Sequence, residues 1–239
     1  RGLGDVYKRQ EVMLAVGAES VLCPLVVYSL ANAKALSRNN EDPSHASRPF
    51  DAMRDGFVIG EGGGALVLET ESHAVRRGAT IYARLMGCGN GCDAYHITAP
   101  QPEGVGAARC MELALKDAGL KPEQIGYINA HGTATPKGDA AETLAIKRVF
   151  GEHIPLVSST KGATGHMMGA GGITELIACI QAIRTGLLPP TINLEHPDPD
   201  CDLDYIPLQS REKKVDYAMS NAFGFGGQNS SVIVGRWNS

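Results

Sequence analysis

Residues 126–142 read GYINAHGTATPKGDAAE, and the fold turns on how that stretch is parsed. Gly126 to Ala130 is a short apolar strand pattern that runs directly into His131-Gly132-Thr133. Asp139, with Glu142 three positions on, has the form of a capping box, and Ala141, Leu144, Ala145 and Val149 recur at the spacing of a buried helical stripe. Strand, polar tip and helix make up the repeating unit of an α/β sheet, in which ligands gather at the carboxyl ends of the strands.

The same alternation extends in both directions. Leu156 to Ser159 predicts a strand, and the helix after it carries Ile173, Leu176, Ile177 and Ile180 and stops at Gly186, ahead of Pro189-Pro190. Ala218 to Asn221 and Val232 to Val234 predict two closing strands joined by a glycine-rich turn. Upstream, Val105, Ala108, Met111 and Leu115 mark a helix over Val105 to Ala118, stopped by Gly119. Ile81 to Met86 predicts a strand followed by a glycine-bearing loop from Cys88 to Gln101, Ser72 to Arg77 a short helix, and Ala65 to Glu69 another strand. Ser37 to Asp55, polar and with two prolines, is expected to be a surface loop; Pro24 to Leu36 reads as a helix, and Val12 to Ala18 as a strand of a sheet covered on both faces. Residues 1–10, RGLGDVYKRQ, share no pattern with the rest and are read as a foreign leader on a truncated coding sequence, outside the fold.

Composition narrows the function. The 239 residues are 43% hydrophobic and 20% charged, ample for a core. With a net charge of −4 and no basic run longer than Arg76-Arg77 or Lys213-Lys214, phosphate-backbone binding is not expected, so nucleic acid is set aside. The six cysteines read as reduced, cytosolic thiols; Cys88 and Cys92 have no second ligand pair nearby, so no metal centre is expected. The most apolar stretch, Val12 to Ala33, is broken by Gly17, Glu19 and Pro24, so no membrane span is expected.

Three segments place reactive side chains where a strand ends: Asn129 to Thr135, Ser158 to His166, and Asn221 to Asn229. A lone histidine at a strand tip is more often a core group bonded to backbone than a catalyst. The case for His131 and His166 therefore rests on the loops meeting at one site. His166 falls near a helix start, where unpaired N–H groups disfavour a charged ring, and Lys161 adds positive charge against protonation. Two neutral imidazoles aimed at one point would be a pair of N–H donors for a thioester oxygen turning into an enolate. Two other motifs lack their partners. Ser158-x-x-Lys161 has the serine-nucleophile spacing of β-lactamases without their companion motifs, and Gly60 to Gly64 leads into a strand with no Gly-Lys-Ser/Thr to hold phosphate.

With these residues in hand, the chain resembles the β-ketoacyl-acyl-carrier-protein synthases over Glu11 to Gly235, through RPFDAMRDGFVIGEGGGALVLE, NAHGTATPKGDAAE, SSTKGATGHMMGAGG, PPTINLEHPDPDCDLDYIP and NAFGFGGQNSSV. The fourth string, with ITAP at Ile97 to Pro100, is closer to the type II elongating enzyme. The resemblance implies an α/β, thiolase-like layered fold, with residues 11–78 the end of an N-terminal half and 79–239 the C-terminal half. It implies a Cys-His-His triad with a lysine and no cofactor. His131 and His166 fall on the two histidines that assist decarboxylation of malonyl carrier protein, and Lys161 on the lysine, with Glu175 as its partner. Phe225 falls on the gating phenylalanine whose backbone N–H shares the oxyanion hole, with Phe223 a further substrate-binding position. Thr133 and Thr135 fall on the threonines of the pantetheine tunnel, with Thr98 added to them, and Lys34 on a basic surface for the acidic carrier protein. A cytoplasmic homodimer partnered by acyl carrier protein is implied.

Two positions depart from the pattern: Gln228 stands where threonine is common, and none of the six cysteines falls on the nucleophile, which belongs on a helix before Val12. Condensation by the chain as given is therefore not expected. The rivals are a polyketide ketosynthase or chain-length-factor-like subunit and, from a different class, a non-catalytic binding module of the same fold, which would have no use for His131, Lys161 and His166 together.

Overall fold

The computed structural model describes residues 10–238; of the stretch 1–10 read above as a leader, all but Gln10 lies outside the described residues. In chain order the strands and α-helices are β1 (Val12–Glu19), α1 (Pro24–Asn32), β2 (Gly62–Glu69), α2 (Glu71–Arg76), β3 (Arg84–Cys92), α3 (Val105–Ala118), β4 (Tyr127–Asn129), α4 (Pro136–Phe150) and β5 (Leu156–Ser158). They continue with α5 (Lys161–Thr164), α6 (Gly171–Thr185), β6 (Leu187–Leu188), β7 (Arg211–Glu212), β8 (Tyr217–Gly224) and β9 (Gln228–Gly235).

The main sheet has the order β3-β9-β8-β4-β5, with β4 parallel to both β5 and β8 and β9 antiparallel to its two neighbours. Strand residues alternate between faces, and the alternation divides the core in two. Ile128, Met219 and Ile233 point to one side, where they meet Met111 of α3 and Ile146 of α4. Tyr127, Ala218 and Val234 point to the other and meet Cys179, Ala182 and Ile183 of α6. Because β4, β5 and β8 run parallel, the chain leaves all three at the same edge of the sheet. That edge collects the three polar segments.

On its far side α6 carries a two-stranded antiparallel ribbon, β1 with β2, in register from Val12 opposite Glu69 to Glu19 opposite Gly62. Only the inward face is covered, so the expectation of a doubly covered β1 is corrected: Val12, Leu14, Val16 and Val67 are exposed. Continuous apolar sequence does not distinguish a strand covered on both faces from one whose outer face is bare here.

Three further expectations shift. The strand anticipated at Ile81 to Met86 begins at Arg84 and runs on through the supposed loop to Cys92, because β9 pairs with it from Gln228 to Gly235. Ser37 to Asp55 is not wholly superficial: Phe50, Asp51 and Arg54 are buried, and Phe50 stacks on Tyr205 with ring centroids 3.8 Å apart. Helix α4 starts at Pro136, favoured at a first turn since its missing N–H would be unpaired anyway. Asp139 and Glu142 are thus buried within that helix and are no capping box, while Leu144, expected in the stripe, is exposed. No helix among the described residues is long and apolar enough to cross a membrane.

Candidate active site

At the shared strand edge lies a cavity of about 600 Å³ whose walls include His131, Thr133, Thr135, His166, Phe223 and Phe225. The two imidazole rings meet there nearly at right angles, 83° apart in plane and 5.3 Å between centroids. Phe57, absent from the sequence reading, lines the cavity too and sets its ring edge against His166 at 5.2 Å. Phe57 stands in a short apolar run between Asp55 and Glu61, where nothing local marks a phenylalanine as part of a wall.

Each histidine is held by its backbone. Both N–H groups of the turn at His131 and Gly132 are accepted by the Glu142 carboxylate, at 2.9 and 2.8 Å, and Asn221 donates to the same carboxylate at 3.2 Å. Gly132 sits at φ +29°, with a Cβ there falling 2.7 Å from Ser159 Cβ and 2.9 Å from the Phe50 ring, so only glycine fits the turn. His166 is clamped by the segment 58–60: its N–H donates to the Val58 carbonyl at 2.7 Å, and its carbonyl accepts from Gly60 N–H at 2.9 Å. Gly60 permits that crossing, since a Cβ on it would lie 2.4 Å from the Thr164 carbonyl oxygen.

The electrostatics make both rings neutral. Burial, reinforced by the positive charge of Lys161, lowers the pKa of His166 to about 3 and that of His131 well below the ordinary histidine value. The N–H of Met168 donates to His166 Nδ1 at 3.3 Å, which leaves the ring proton on Nε2 as a donor. Lys161 does not line the cavity; it is buried in an ion pair with Glu175, also buried. Ser158 is buried against the Tyr127 hydroxyl at 2.8 Å, so the β-lactamase-like spacing of Ser158 and Lys161 makes no nucleophile–base pair.

Not every sequence-derived candidate arrives here. Thr98 is outside the lining, exposed, with its N–H donating to His96 Nδ1 at 3.1 Å. Lys34 lies at the end of α1, exposed and away from the cavity. None of the six cysteines is among its lining residues either: Cys110, Cys179 and Cys201 are buried, and Cys92, between the lining residues Gly91 and Asp93, sets its thiol against the Gly226 carbonyl at 3.6 Å. Gln228 does line it, beside the Phe225 turn. That turn is tied down by Gly226 N–H on the Ile97 carbonyl at 2.8 Å and by Asn229 Nδ2 on Asp93 at 2.6 Å. Among the described residues no cluster of three or more His, Cys, Asp or Glu could hold a metal ion.

Beneath the site, Asp139 accepts from Phe50 N–H at 2.8 Å and lies 3.4 Å from Arg54, which also reaches Asp198 at 2.5 Å. Burial nonetheless dominates and raises Asp139 to about 7. The folded protein therefore holds this proton more tightly than an unfolded aspartate near 4, and the group's contribution to stability is lost as pH rises toward 7. Asp139→Asn should remove that slope, at most about 1.4 kcal/mol per pH unit, between pH 4 and 7. Parallel melts of both proteins across that range measure it; identical pH dependence would contradict it.

Two neutral imidazoles and a glycine-rich turn face one cavity, with the Lys161–Glu175 ion pair buried outside its lining, and the chain belongs to the β-ketoacyl synthase family. It matches the N-terminal domain of that family over residues 6–74 and the C-terminal domain over 82–195. Among its relatives is 3-oxoacyl-(acyl-carrier-protein) synthase 2 of Synechocystis, 53% identical across 98% of this chain and 58% of that protein. The Coxiella burnetii protein of the same name is 50% identical across 95% of this chain and 55% of its own length. The chain thus spans little more than half of these curated relatives. A solved β-ketoacyl synthase from Burkholderia phymatum superposes with a TM-score of 0.93 at 44% identity, covering 98% of this chain and 57% of that one. The AntDE:AntF structure, a type II PKS acyl-carrier protein in complex with its ketosynthase, gives 0.94 at 42%, covering 97% and 58%. The layered architecture is accordingly the thiolase-like α/β fold of the ketosynthases.

Proposed function

We propose that the protein to which this chain belongs is a type II elongating synthase of fatty acid synthesis, acting in the cytoplasm as a homodimer on acyl and malonyl groups delivered by acyl carrier protein. The observation that carries the reading is the convergence of two uncharged imidazoles, 5.3 Å apart, on one cavity. In a malonyl thioester held there, the bond between the α-carbon and the carboxylate breaks, carbon dioxide leaves, and the electron pair moves to the thioester oxygen as an enolate. N–H donors already in place stabilise that oxyanion without reorganisation. The α-carbon then attacks an acyl thioester on a cysteine, expelling the thiolate and extending the chain by two carbons. Thr133 and Thr135 line the approach, Phe225 is the gate, and its backbone N–H serves the second oxyanion. Residues 11–78 supply the end of the N-terminal half and 79–239 the C-terminal half.

Since no cysteine borders the cavity, the 239-residue chain is expected to take the first step alone: the enolate picks up a solvent proton, and acetyl-carrier protein accumulates with carbon dioxide. Mass spectrometry of malonyl- and acyl-carrier protein mixtures tests this. A β-ketoacyl product would refute the reading of the missing nucleophile, and no loss of carbon dioxide would refute the role of the imidazoles.

A polyketide ketosynthase is the second reading, favoured by the 0.94 superposition on the AntDE:AntF structure. The fatty-acid assignment is preferred because the relatives at 53% and 50% identity carry the 3-oxoacyl synthase name, against 42% for that neighbour.

A further inference from the structure

Among the described residues the cavity holds no lysine or arginine in its wall, and its two acids are engaged: Asp93 with Asn229 and Gln101, Glu142 with the His131 turn. A ligand's anionic group would find no cation inside. The wall contributed by α4 and the residue before it comprises Thr135, Gly138, Ala141 and Glu142, and between the first two the chain surfaces at Pro136 and Lys137, both exposed. Lys137 is thus an exposed cation next to the lining residue Gly138 and two positions after Thr135. It makes no ion pair or hydrogen bond among the described residues. Its place in the first turn of a 15-residue helix is electrostatically poor for a cation, since the unpaired N–H groups there already carry partial positive charge. Asp139, the acid of that turn, is buried against Phe50 and Arg54 and offers it no compensation.

We propose that Lys137 binds the phosphate of the arm on which the substrate thioester is carried. This rests on the proposed function, which threads that arm past Thr133 and Thr135. Those hydroxyls lie 3.0 Å apart, and a Cβ on Gly138 would come 2.4 Å from Thr135 Oγ1, so the wall here is tight and polar. The arm's amides suit such a passage. Its phosphate does not, and must remain where the passage opens. There the ammonium of Lys137 and the phosphate relieve each other, one misplaced on its helix and the other left without a cation in the wall. Lys137 acts on binding and takes no part in the chemistry.

The test is a ligand-observed NMR titration of the full 239-residue chain with 4′-phosphopantetheine and with pantetheine, which lacks the phosphate. The wild-type chain is expected to prefer the phosphorylated arm by about five-fold at low ionic strength, with the preference fading as salt is added. Lys137→Ala should bind both arms alike, and Lys137→Arg should keep the preference. Because the side chain is exposed and sits badly with its helix, Lys137→Ala should melt no lower than the wild type. Equal affinity of the wild type for the two arms, or a preference surviving in Lys137→Ala, overturns the proposal while leaving the proposed function standing. Binding of neither arm overturns both.

Discussion

Replacing either His131 or His166 by alanine is expected to slow carbon dioxide release from malonyl-carrier protein by about 10²–10³-fold, the usual cost of removing one oxyanion donor. The rings share one cavity and, in the proposed reaction, serve one oxygen, so the double variant should be little worse than either single one. Asparagine, which retains an N–H donor, should recover part of the rate. Imidazole protonation should leave the wild-type rate flat from pH 8 down to about 4, because His166 is held at about 3 and His131 is likewise lowered. A rate that falls through pH 6.5 would mean that a charged histidine matters. Purely additive losses would mean that the two rings act on different atoms.

The second large effect is on stability. Lys161→Ala leaves the Glu175 carboxylate buried without its counter-ion and is expected to cost about 3–5 kcal/mol, read by chemical denaturation. Replacing both partners together, Lys161→Met with Glu175→Leu, should recover most of that loss, since two buried charges are desolvated at a cost their attraction barely offsets. The catalytic readout differs from the structural one. Without the lysine's field both imidazoles should gain basicity, so the low-pH limb of decarboxylation moves upward, while burial, the larger cause, keeps it below the ordinary histidine range. A full-strength Lys161→Ala chain with an unmoved pH profile would show that the ion pair neither supports the fold nor tunes the rings.

How far the sequence foretold this site depended on whether local pattern or distant contact set each residue's position. Helix α3 was legible to its ends because its stripe is local and Gly119 takes the left-handed stop. His131 was legible because it closely follows β4 and Gly132 marks the turn, and His166 because Gly165 ends the short helix α5 just before it. Glu142 was seen but misassigned: three residues after an aspartate looks like a cap, whereas its carboxylate reaches back over ten residues to Gly132 N–H. Phe50 and Arg54 were lost among polar neighbours, because what buries them, Tyr205, Asp139 and Asp198, lies far along the chain. The bare face of the ribbon could not be foreseen, since an apolar strand reads alike whether or not anything lies over it.

The backbone bridge at His166 has a consequence for how this protein can be dissected. Val58 and Gly60 grip the histidine by both of its main-chain groups, so the earlier third of the sequence serves as one jaw of a vice on a cavity-lining ring supplied by the later part. Expressing the region after Gly78 by itself would retain both imidazoles in the polypeptide and lose the purchase that aims the second. Any shortened version meant to preserve chemistry has to keep that jaw.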